Sequence, residues 1–113
     1  MGASPMTPNT LQILLSLSGG PLHGYGIMLD VDERTGGEMT LGSGTLYAAI
    51  QRLEEDGWIR PVPAPDGEEA DARRQYYGLE EAGDKALRGE LARLNAMMEL
   101  ARSRNLLPRA EEA

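Results

Sequence analysis

The chain has 113 residues, 41% of them hydrophobic, and a net charge of −7 from 18 acidic and 11 basic residues. This length holds one small core and the composition excludes a disordered chain. No apolar run reaches the roughly 18 residues of a membrane helix, and no basic stretch precedes an apolar one as in a secretory leader, so neither is expected. Cysteine is absent and His23 is the one histidine, which rules out disulfides, thiolate chemistry and a multi-histidine metal site within one chain, and fits a cytoplasmic protein.

Residues 1–6 are expected to be disordered. Thr7 and Pro8 suit the cap and first position of a helix. Leu11, Ile13, Leu14, Leu15 and Leu17 then make it apolar almost all round, so it should be buried on most sides. Gly19-Gly20-Pro21 stops it. A second helix is predicted from about Leu22 to Arg34, ended by Gly36-Gly37, with a short extended link over Glu38-Met39-Thr40-Leu41. A third starts at Ser43, carries Leu46, Ile50 and Leu53 as one apolar stripe, and closes at Gly57. Trp58 to Val62 and Arg73 to Leu79 read as two strands of a hairpin, joined by a long polar tip.

The last helix is predicted from Glu80 to about Leu107, roughly 28 residues and about 42 Å. Leu87, Leu91, Leu94, Met98 and Ala101 step by four, three, four and three, which is a heptad seam. Three short helices and a hairpin cannot cover it, so a second copy is expected on its distal half. The expected dimer contacts are Leu87, Leu91, Leu94, Met97, Met98 and Ala101, with Leu11, Leu14 and Leu15. The fold class is therefore mainly α with a small β-hairpin. It is a winged helix-turn-helix in the order α-α-α-β-β-α with a long C-terminal dimerisation helix. The boundaries are 7–79 for the winged-helix domain and 80–107 for the dimerisation helix, with 108–113 frayed.

In such a fold the third helix enters the DNA major groove and the hairpin reaches for the backbone. Four motifs stand in order: His23-Gly24-Tyr25-Gly26-Ile27, Gly44-Thr45-Leu46-Tyr47, Arg52-Leu53-Glu54 with Gly57, and Arg74-Gln75-Tyr76-Tyr77-Gly78-Leu79. Over residues 8–107 the chain resembles the PadR-family transcriptional regulators of the short type with a single C-terminal helix. The resemblance implies a homodimeric winged-helix repressor that dimerises through its final helix. It also implies an effector that, where present, is often a small aromatic or apolar molecule. Ser43 and Ala48 replace prolines common in the family, and Glu80 replaces its usual threonine cap.

The candidate DNA-contacting residues are Ser43, Thr45, Tyr47, Ala48, Gln51, Arg52, Arg73 and Arg74. Gln51 suits adenine, and Arg52 suits guanine or phosphate unless Glu55 pairs with it. Ser43 and Thr45 suit phosphate near a helix N-terminus, and Ser43 also suits a cap. Tyr47 either contacts phosphate or packs on the core. Arg73 and Arg74 either meet DNA or pair with Asp66, Glu68, Glu69 and Asp71. Those four acids oppose phosphate, so the wing tip is expected to fold away from the backbone, leaving binding to the third helix. One of Tyr76 and Tyr77 is expected in the core, and His23 is read as a helix-start residue with a satisfied ring.

Leu94, Met97 and Met98 form a candidate effector pocket, since methionine lines adaptable sites. The expected partners are double-stranded DNA with a pseudo-palindromic operator, a second copy of the chain and a small apolar or aromatic effector, with no membrane. No cofactor, metal or catalytic residue is expected: Gly42-Ser43-Gly44 lacks the strand before it and the histidine after it that a serine nucleophile needs. The alternative function is a winged-helix module that binds protein instead of DNA, motivated by the acidic balance.

Overall fold

The structure is a computed structural model and describes residues 6–65 and 74–108. Arg73 and the acids Asp66, Glu68, Glu69 and Asp71 lie outside these residues, as do 1–5 and 109–113. Seven elements follow in order: α1 (Pro8–Leu17), β1 (Leu22–His23), α2 (Gly24–Arg34), α3 (Ser43–Glu55), β2 (Ile59–Val62), β3 (Tyr76–Leu79) and α4 (Glu81–Ser103). The hairpin is thus a three-stranded antiparallel sheet in the order β1-β3-β2. The sequence reading missed β1, because two residues are too few to show an alternation and Leu22 continues the helical pattern of α2. Leu22 pairs with Tyr77 and His23 with Tyr76. Pro61, which cannot donate to a ladder, sits on β2 at the edge of the sheet.

Local chemistry explains the ends. Thr7 caps α1, its hydroxyl accepting from the Thr10 N–H at 3.2 Å. His23 caps α2 through Nδ1, which accepts from the Gly26 N–H at 3.0 Å; the ring is satisfied as expected. Ser43 is not a cap: the capping position of α3 is Gly42, and Ser43 is the first, exposed helical residue. Gly57 takes the left-handed conformation (φ 75°) after α3, so that the Trp58 N–H bonds the Leu53 carbonyl. Asn105 (φ 60°) ends α4 the same way, with the Leu106 N–H on the Ala101 carbonyl. That turn corrects the expected helix end from Leu107 to Ser103 and leaves 23 residues, about 34 Å.

The core gathers Ile13, Leu14 and Leu17 of α1, Ile27 and Val31 of α2, and Leu46, Ala49, Ile50 and Leu53 of α3. Ile59, Tyr77 and Leu87 close it from the sheet and α4. α1 lies between α2 and α4 and touches β3. Leu14 (0% exposed) and Leu87 (4%) therefore belong to the core of the single chain and cannot form the dimer surface as expected. Leu11 and Leu15 also pack partly against this core, and so does Met6, which was expected to be disordered. Tyr77 joins the core cluster, as expected of one of the two tyrosines, and Tyr76 is buried as well, edge-on against the His23 ring at 5.1 Å. Beyond Glu90, which is still buried, the coverage thins: Leu91, Met97, Met98 and Leu100 are exposed. Among the described residues no helix is long and apolar enough to cross a membrane.

Candidate nucleic-acid interface

Two side chains fix α2 against α1 and shape the turn that leads to α3. Arg34 donates to Asp30 on its own helix (2.8 Å) and to Gln12 Oε1 (2.7 Å) and Ser16 Oγ (2.6 Å) on α1. The same guanidinium holds the Asp30 carboxyl below its ordinary value. Thr35 Oγ1 donates to the Val31 carbonyl (2.8 Å) and accepts the Met39 N–H (3.1 Å), which sets the path of the chain between α2 and α3.

α3 buries Leu46, Ala49, Ile50 and Leu53. Its opposite face follows from the helical period: Gly44, Ala48, Gln51 and Glu55 step by four, three and four, and all four are exposed. The two small residues let another surface approach the helix closely. Ser43 and Thr45 are exposed near its N-terminus, where the amides of the first turn favour anions. Arg52 flanks the stripe on one side and is exposed. It lines a cleft of about 330 Å³ with Met6, Thr7, Thr10, Leu53, Asp56 and Trp58. Arg52 does not pair with Glu55 among the described residues; Glu55 takes the Gln51 amide instead, Nε2 to Oε1 at 3.5 Å.

Tyr47 flanks the other side and is half exposed (50%). Its ring seats on the backbone of Gly24, so closely that a β-carbon there would fall on the phenol oxygen. A second cleft of about 260 Å³ opens here, between His23, Gly24, Tyr25, Tyr47, Arg74 and Gln75. It gathers two exposed phenols, a guanidinium and an amide beside the N-terminus of α2. A neutral imidazole accepts at one nitrogen only. The His23 ring that caps α2 through Nδ1 therefore carries its proton on Nε2, which lies 3.2 Å from Arg74 Nη1. Behind the cleft, burial raises the Tyr77 phenol above its ordinary value and the Glu54 carboxylate adds to the effect.

The structure thus brings Ser43, Thr45, Tyr47, Ala48, Gln51 and Arg52 onto one exposed surface, with Arg74 at its edge. Arg60 is held elsewhere, donating to the Leu79 carbonyl and to Glu80 Oε1, each at 2.7 Å. Glu80 therefore starts α4 without capping it by its side chain. The sequence gives Tyr25 and Gln75 no role at this surface and offers Glu55 only as a possible partner of Arg52. Glu55 was legible, since it extends the Gly44-Ala48-Gln51 step by one turn. Tyr25 and Gln75 were not, because only β1 places them together. On α4, Met97 and Met98 are exposed, and Leu94 and Ala101 are partly covered.

Three helices with a three-stranded wing, the third helix presenting a small-residue face, make a winged helix-turn-helix. Residues 13–89 match the model of the transcriptional regulator PadR-like family, and the chain belongs to that family. A PadR family transcription regulator from hypervirulent Clostridium difficile superposes with a TM-score of 0.72 at 25% identity, over 86% of this chain and 97% of that one. Bacillus subtilis PadR, solved in complex with operator DNA, superposes with a TM-score of 0.60 at 24% identity, over 73% of this chain and 45% of that one. An uncharacterized 37.1 kDa protein in a transposon of Streptomyces fradiae is 36% identical over 86 residues, which are 74% of this chain. The match spans only 23% of that relative's length.

Proposed function

We propose that the chain is a sequence-specific DNA-binding repressor that acts as a homodimer. In this reading residues 7–79 bind DNA and the helix within 80–107 dimerises. Two copies of α3 enter successive major grooves of a pseudo-palindrome, about 34 Å apart. The observation that carries the reading is the exposed Gly44-Ala48-Gln51 stripe flanked by Tyr47 and Arg52. A helix face with small residues at its centre and hydrogen-bonding groups on both sides suits a groove with phosphates on either rim. The operator complex of Bacillus subtilis PadR supports the docking mode by likeness of fold. Dimerisation is supported by Leu91, Met97, Met98 and Leu100, apolar and exposed along the distal part of α4. A small apolar or aromatic effector beside Leu94, Met97 and Met98 would alter the angle between the two helices, and with it the α3 spacing. A coupling of about 1–3 kcal/mol would change affinity 5- to 150-fold.

The test pairs two variants on one operator selected from random DNA. Gln51→Ala should cost about 1–3 kcal/mol per half-site on that operator and little on unrelated DNA, whereas Arg52→Ala should weaken all sequences and flatten the salt dependence. Equal losses on all DNA in Gln51→Ala would mean that no base is read there. Sedimentation should give about twice the 12.2 kDa chain mass, and Leu94→Asp should give monomer or aggregate, because it leaves a charge unpaired in the seam. A wild-type monomer at high concentration would refute the dimer.

A further inference from the structure

We infer that Glu55 is a specificity-determining residue that selects cytosine at one position of each half-site. The inference rests on the DNA-binding reading above. Glu55 is exposed in the last turn of α3 and continues the Gly44, Ala48, Gln51 stripe by one step of four. An acid on the face that meets a polyanion needs a partner there, and the described residues supply no cation. Arg52 makes no ion pair with it, and Arg60 is engaged by Glu80.

What Glu55 does have is Gln51. A carboxylate only accepts, so the Gln51 amide turns one of its N–H groups to Glu55 Oε1. That contact, at 3.5 Å, sets the two exposed side chains next to each other along the stripe. It leaves Glu55 Oε2 as a bare acceptor one turn beyond the Gln51 amide.

The major groove offers two kinds of donor, the N4 amino group of cytosine and the N6 amino group of adenine. Adenine places its N7 acceptor beside N6, which repels a carboxylate; cytosine places only a C–H there. Guanine presents two acceptors and thymine an acceptor and a methyl group, so both leave the carboxylate desolvated and unpaired. Cytosine is the one base that satisfies Glu55 without an opposing acceptor. The acid that lowers general affinity for DNA thereby raises discrimination at one base pair.

The experiment is a selection from a randomised DNA library with the wild-type chain, Glu55→Gln and Glu55→Ala, followed by titration of the enriched site with cytosine or guanine at the assigned position. The wild type should enrich one cytosine column per half-site and prefer it to guanine on the order of tenfold or more. In Glu55→Gln that column should broaden to admit purines, because an amide both donates and accepts. In Glu55→Ala it should flatten, with the columns other than those read by Glu55 and its neighbour Gln51 unchanged in both variants. A cytosine column that survives both substitutions would overturn the inference. So would an equal gain in affinity for every sequence, which would make Glu55 a source of repulsion alone. A wild-type selection that enriches no motif would overturn the DNA-binding reading, and this inference with it.

Discussion

Two glycines on α4 should respond to the same substitution with opposite sign. Gly83 is buried in the first turn, and a β-carbon there would meet Trp58 backbone: it would fall on the carbonyl oxygen and lie 2.9 Å from C and 3.2 Å from Cα. The same carbonyl accepts the Glu80 N–H at 2.9 Å, at the start of the helix. None of these atoms can rotate aside, so Gly83→Ala must push α4 away from the start of the wing. Overpacking costs typically about 1–3 kcal/mol, and alanine in a helix contributes about 0.5–1 kcal/mol in the other direction. With immovable backbone this close the cost falls in the upper half of its range, so the net is a loss of about 1–2 kcal/mol, or roughly 4–8 °C in Tm for a chain of this size. Gly89 on the same helix has nothing within 4 Å of its β-carbon position, so Gly89→Ala should gain about 0.5–1 kcal/mol and raise Tm by about 2–4 °C. Thermal melts by circular dichroism, at one fixed protein concentration, check both. Gly83→Ala at or above wild-type stability would refute the packing described at Trp58.

His23→Ala should cost about 0.5–2 kcal/mol in urea melts, and His23→Asn should recover most of it, since asparagine also caps helices; equal stabilities of all three would mean the cap is worth nothing. Hydrogen bonds from Arg93 hold the buried Glu90 carboxyl below its ordinary 4.5. A lowered folded value means that the stabilisation is present above 4.5 and is lost as pH falls through the lowered value. Glu90→Gln should therefore melt below wild type at pH 7, and the gap should close in acid; a gap that persists unchanged in acid would contradict it.

Helix identities were legible because the apolar spacing of α1 and α3 and the punctuation at Gly19, Gly36 and Gly57 all agree. The site on α3 was legible for the same reason: once Leu46, Ile50 and Leu53 face inward, the residues between them must face out. Where the reading failed, a long-range contact decided the outcome. Leu87 fits a heptad as well as it fits a core, and only the position of α1 shows that it is already covered. Nothing in the local spacing says that Asn105 turns left-handed, so the end of α4 was placed too late. Spacing alone left a pair of Arg52 with Glu55 open, yet Gln51 stands on the same stripe as Glu55 and takes that carboxylate.

His23 is at once the last residue of β1, paired with Tyr76, and the cap of α2. For protein engineering this makes the wing a discontinuous module. Transplanting only residues 59–79 from another family member would set a foreign β3 beside a native β1. Any mismatch would reach the first turn of α2 and the Tyr47 ring seated on it. The unit that can be exchanged cleanly includes residues 22 and 23, some 36 positions upstream of the rest. Chimaeras that carry this dipeptide along with the wing should keep the helix-turn-helix geometry of the host, and those that omit it should disturb it.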